Sequence, residues 1–171
     1  MPRYVAFLRG VSPMNLKMPE LKACLEGAGF TAVKTLLSSG NVAFDATARS
    51  EALLEQRLEA AMQEALGRSF YTIVRRSDAL RELLASEPYE AHELPANAKR
   101  VVTFLREPGA VELQTPVVLD EAQILAVTGR EIFSAYVPGD KGPVFMTLIE
   151  KTFGKDLTTR TWDTVRKCAA A

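Results

Sequence analysis

Apolar and polar positions alternate between two periods along this chain, and the switches between them predict its elements. Arg3 to Arg9 (RYVAFLR) is an apolar run of strand length closed by Arg9-Gly10, which predicts a first strand. After a loop from Val11 to Lys17, Pro19 stands where a first-turn proline belongs. Leu21, Leu25 and Ala28 then recur at helical spacing, and Gly29 supplies a stop. Val33 to Leu37 and Val42 to Phe44 flank Ser38-Ser39-Gly40-Asn41, a polar cluster that predicts a hairpin. Leu54, Leu58, Ala61, Met62 and Ala65 form one helical stripe that closes at Gly67, and strand character resumes from Phe70 to Val74.

This βαββαβ order is that of the split-βαβ, ferredoxin-like arrangement, an antiparallel sheet with two helices on one face. Ser77 is a good N-cap for a helix from Asp78 to Ala85, after which Glu87 to Pro95 breaks all periodicity. Arg100 to Leu105 reads as a strand, and Ile124 to Val127 and Glu131 to Val137 bracket a hairpin signal at Thr128-Gly129-Arg130. Phe145, Leu148, Ile149 and Phe153 predict a helix ended by Gly154, and Trp162, Val165 and Cys168 a last one begun at Thr161. The expectation is an α+β protein of two ferredoxin-like lobes: residues 1–76, a helix and linker over 77–98, and a second α+β lobe with its C-terminal helix over 99–171. Tyr4, Ala6 and Leu8 alternate with Val5 and Phe7, so the first strand is apolar on both faces. Helices cover only one of them, and the two antiparallel sheets are therefore expected to pack together.

Twenty-one basic residues balance twenty-one acidic ones, so no global field draws the chain to nucleic acid or to an anionic membrane. The N-terminus shows no signal-peptide pattern and no run is long enough to span a bilayer, which predicts a cytoplasmic protein. Cys24 and Cys168 sit on apolar helix faces, as reduced buried thiols do. A single histidine, His92, in a proline-bounded loop argues against a histidine metal site and against Ser-His or Cys-His catalysis. Phosphate-binding, dinucleotide, metal-loop and nucleophile-elbow motifs are absent, so no cofactor and no metal are expected. Ser39-Gly40-Asn41-Val42-Ala43-Phe44 is the nearest match to an RNA-stacking strand, but it lacks the basic residue and the first aromatic.

Leu8-Arg9-Gly10-Val11, Asn15, Lys17-Met18, the stretch Leu36 to Val42 and Thr158-Thr159-Arg160-Thr161-Trp162-Asp163-Thr164-Val165 together resemble the DUF1697 family, from Tyr4 to Lys167. The resemblance implies two ferredoxin-like lobes and no established reaction, substrate or cofactor. Two departures stand out. The family pattern often has a longer, glycine-containing loop after its Arg-Gly turn, where this chain has only Ser12-Pro13-Met14-Asn15-Leu16; a phosphate grip through such a loop would be lost here. Thr161 replaces the asparagine of the common Thr-Thr-Arg-Asn-Trp, and both residues cap helices.

Arg9, Asn15, Lys17, Ser39 and Asn41 fall at strand ends and loops of the first lobe, where a rigid scaffold presents functional groups. Arg160 precedes the last predicted helix, whose N-terminal amides suit an anion, and Lys167 lies within it. The C-terminal stretch is locally basic, with Lys141, Lys151, Lys155, Arg160, Arg166 and Lys167 against Glu150, Asp156 and Asp163. These seven candidates suggest a small anionic ligand between the lobes, with Arg9, Lys17 and Arg160 as its cations. The competing assignments are structural: Ser39-Gly40-Asn41 as a plain turn, Trp162 as core, Arg160 as a bridge to a carboxylate. An enzyme acting on a phosphorylated small molecule and a ligand-free interaction module are the alternative functions, and nothing in the pattern sets an oligomeric state.

Overall fold

The computed structural model describes residues 1–47, 49–108, 117–139 and 144–171; Lys141 lies outside them. The chain is α+β and divides into two units, one of residues 1–82 with 166–171, the other of residues 83–165.

The first unit is built around β1 (Arg3–Leu8), which pairs antiparallel with both β3 (Asn41–Asp45) and β4 (Thr72–Arg76). With β2 (Thr31–Leu36) outside β3, the sheet order is β2-β3-β1-β4. Tyr4, Ala6 and Leu8 meet Leu21 and Leu25 of α1 (Met18–Gly27) and Leu54, Leu58 and Met62 of α2 (Glu51–Leu66) in one core. Val5 and Phe7 alternate with them and are equally buried. Burying a side chain of this size is worth roughly 1.5–3 kcal/mol, so a central strand apolar on both faces anchors the unit. Helix α2 is bounded as its ends dictate: the Ser50 hydroxyl accepts from the Leu53 amide at 3.1 Å, and Gly67 closes the helix with φ 75°. At the start of β1, Arg3 bonds Asp45 at 2.8 Å and the Ala171 carbonyl at 2.8 Å, which ties down the C-terminus of the chain.

α3 (Ser77–Ala85) follows β4 directly. Ser77 is its first residue rather than its cap; the hydroxyl is buried with no hydrogen-bond partner. In the second unit β5 (Lys99–Leu105), β6 (Val117–Leu119), β7 (Ala122–Thr128), β8 (Glu131–Tyr136) and β9 (Leu157–Thr161) form a sheet of order β6-β7-β8-β5-β9. Phe145, Leu148 and Ile149 of α4 (Val144–Phe153) pack on Val101, Leu105, Ile124, Ile132 and Leu157.

The sequence pattern missed β6 and β9. Leu157-Thr-Thr-Arg-Thr161 shows a single apolar residue, yet threonine is β-branched and fits a pleated strand, and β5 supplies a complete antiparallel partner. α5 (Trp162–Ala170) starts where that strand ends, and the Thr161 hydroxyl accepts from the Thr164 amide at 3.2 Å, the capping role its position suggests. Among the described residues no helix is long and apolar enough to cross a membrane.

Candidate functional site

Five of the seven candidate residues gather at one end of the first unit's sheet. β1 ends at Leu8, whose amide donates to the Gly40 carbonyl at 2.9 Å, while the Arg9 amide donates to the Tyr71 carbonyl at 2.8 Å. The turn between β2 and β3 and the lead into β4 therefore flank Arg9. Gly10 takes φ 79°, and the loop that follows is clasped by one side chain. Asn15 donates from Nδ2 to the Gly10 carbonyl at 2.8 Å and accepts at Oδ1 from the Ser12 amide at 2.9 Å. Both ends of its amide are thus used, and the clasp sets Arg9 and Lys17 on the two stems of a short loop whose tip, Met14, is exposed.

Lys17 is exposed and occupies the N-cap of α1 with extended backbone angles and no side-chain cap. Pro19, in the first turn, has no amide to offer, which leaves Met18 and Glu20 as that turn's donors. Arg9 is half-buried.

Ser39 and Asn41 prove to be parts of the hairpin. Asn41 is fully buried, and its Nδ2 donates to the Leu36 carbonyl at 3.1 Å and to Ser39 Oγ at 3.0 Å. Gly40 between them has φ 85°, and a Cβ there would stand 3.0 Å from side-chain carbons of Leu8 and Val11. Only glycine fits a backbone pressed this closely against β1.

The other two candidates belong to other elements. Arg160 belongs to β9 of the second unit, 8% exposed; its Nη1 donates to Thr158 Oγ1 at 2.7 Å and to the Thr159 carbonyl at 2.8 Å. It is a strand residue, two positions before the start of α5. Lys167 is exposed near the end of α5, which Ala171 ties to Arg3, at the end of β1 away from Arg9. Trp162 is core: its ring meets Tyr89 at 5.2 Å and Phe133 at 6.2 Å, both edge-on.

Tyr89 donates its hydroxyl to the Val101 carbonyl, and burial pushes its pKa well above the ordinary tyrosine value. Burial likewise raises the Cys24 thiol. A cleft of about 160 Å³ in the second unit, lined by Pro95, Gln123, Tyr136 and Val137 among others, is shallow and holds none of the candidate residues. Among the described residues no three His, Cys, Asp or Glu side chains are placed to hold a metal ion. Arg75, outside every sequence motif, is 1% exposed and the largest fully buried side chain among the described residues. Its signal was available, since Ile73 and Arg75 share a face of β4 and an arginine among apolar strand positions needs partners.

The family model described as a protein of unknown function (DUF1697) matches residues 1–133. No curated protein matches the chain. Among solved structures, a conserved bacterial protein, SP0830 from Streptococcus pneumoniae, is similar with a TM-score of 0.71 at 20% sequence identity, over 99% of this chain and 97% of that one. At that identity the likeness speaks for the fold.

Proposed function

The chain belongs to the DUF1697 family, and we propose that it binds a small anionic, phosphate-bearing ligand at the loop end of its first unit. The observation that carries this reading is the start of α1. A lysine at an N-cap opposes the helix dipole by roughly 0.3–1 kcal/mol, and a bound anion would reverse the sign of that term. The Met18 and Glu20 amides lack a side-chain cap, and Arg9 stands on the opposite stem of the clasped loop. A phosphate group suits such a constellation of a guanidinium, an ammonium and helix-terminal amides. The carboxylate of Glu20 in the same turn favours a weak, exchangeable ligand over a permanent one.

The reading extends to the architecture and the compartment. The orders β2-β3-β1-β4 and β7-β8-β5-β9 are the same permutation in the two units, which supports a pair of ferredoxin-like lobes. Cys24 and Cys168, buried and not joined in a disulfide, suit the reducing cytoplasm, and the bacterial relative suits a bacterial source.

A thermal-shift series with inorganic phosphate, pyrophosphate, nucleotides and sugar phosphates tests the reading. A ligand at about 100 times its dissociation constant adds about 2.7 kcal/mol of stability. The shift is expected in the native protein and in R160A if the first unit binds alone, and it is lost in R9A/K17A. A shift that survives in R9A/K17A and disappears in R160A would move the site to the second unit.

A further inference from the structure

Every outward amide of the β4 edge is taken by a carboxylate of α2. In the pairing with β1, Phe7 lies opposite Ile73 and Val5 opposite Arg75, so Thr72, Val74 and Arg76 turn their amides away from the sheet. A row of this kind is a template for one more strand. Here the Thr72 amide donates to Glu59 Oε2 at 3.1 Å, the Val74 amide to Glu55 Oε2 at 2.9 Å and the Arg76 amide to Glu51 Oε2 at 3.0 Å. The Val74 carbonyl, on the same edge, accepts from Arg75 Nη1 at 3.1 Å.

The match is one of pitch. Four residues of helix rise about 6 Å, and two residues of strand advance about 6.7 Å. Glutamates spaced by four on α2 therefore stay in step with alternate amides of an antiparallel β4 for three rungs. β2, the opposite edge of the sheet, is blunted by other means: a register shift between Thr31 and Lys34, with Ala32 at φ 48°, and an exposed lysine.

We infer that the Glu51-Glu55-Glu59 ladder closes β4 to strand addition, and that the partner it excludes is a second copy of this chain. An antiparallel β4–β4 pair centred on Val74 is self-complementary: Thr72 of each copy faces Arg76 of the other, and the same three residues supply donors and acceptors. Such a two-fold interface closes on itself. An interaction module that works by strand addition at β4 is thereby excluded in the native protein.

Amide exchange and sedimentation test this together. In the native protein the Thr72, Val74 and Arg76 amides are expected to be protected alongside those of Ile73 and Arg75. E51A/E55A/E59A removes all three rungs, among them Glu55 at the two-fold centre, which is 4% exposed. In this variant the Thr72, Val74 and Arg76 amides exchange at least about tenfold faster in dilute samples. They regain protection as concentration rises, while sedimentation shows a growing species of twice the native mass. E51Q/E55Q/E59Q keeps an acceptor oxygen on each rung and sediments like the native protein. Unprotected edge amides in the native protein would overturn the inference, and so would a folded E51A/E55A/E59A that sediments unchanged at every concentration. Should that variant not fold, E51A/E55A, which opens the central rung and one neighbour, carries the same two readouts at Val74 and Arg76.

Discussion

Asn41 shows how one residue type serves two readings that only geometry separates. A polar residue beside a glycine turn suggests either a ligand contact or a hairpin clamp. Burial of the whole side chain and bonds to the Leu36 carbonyl and Ser39 Oγ give the clamp. Asn41→Ala leaves the half-buried Leu36 carbonyl without that donor and empties a fully buried site, and should destabilise the protein by about 1–3 kcal/mol, whereas Ser39→Ala, at an exposed position, should cost less than about 1 kcal/mol. Denaturant unfolding checks the contrast, and equal effects would refute it. Asn15 follows the same logic, its amide being spent at both ends within the loop. Lys17 keeps its place as a ligand candidate because it brings positive charge to a helix start that has no side-chain cap, and Arg9 keeps its place as the cation on the other stem of the clasped loop.

Elements were legible where hydrophobic period was strong. β1, α1, α2 and α4 carry clear stripes, and Gly67 and Thr161 mark ends that the structure places at those residues. β9 was hidden because its pairing with β5, a long-range fact, outweighs a local run of threonines around one arginine. Arg160 thus precedes a helix, as its position suggests, but does so from within a strand that runs directly into α5. The β4 edge was hidden for a related reason: Glu51, Glu55 and Glu59 read as an ordinary solvated helix face until the strand beside them is known. Thr161 closes β9 and opens α5 in one residue, so Thr161→Ala should cost about 1 kcal/mol through the lost cap. Trp162, the only tryptophan, reports this by fluorescence in denaturant; an unchanged midpoint would assign the cap to another group.

At the scale of the molecule, zero net charge and the absence of a catalytic motif leave function to local chemistry. One global consequence follows from Tyr89. Its folded-state pKa lies above the unfolded value of about 10, because burial disfavours the phenolate. The unfolded chain therefore releases this proton first, and stability is complete below pH 10 and falls as pH rises beyond it. Tyr89→Phe should make that alkaline decline shallower, read through Trp162 fluorescence; an identical slope would contradict the buried phenol. The central claim, an anion site at the loop end of the first unit, is tested most directly by following backbone amide resonances during titration with inorganic phosphate and pyrophosphate. The account predicts saturable shifts at Gly10, Met18 and Glu20 that share one dissociation constant and vanish in R9A/K17A. Shifts confined to residues of the second unit, or none that saturate with either anion, would contradict it.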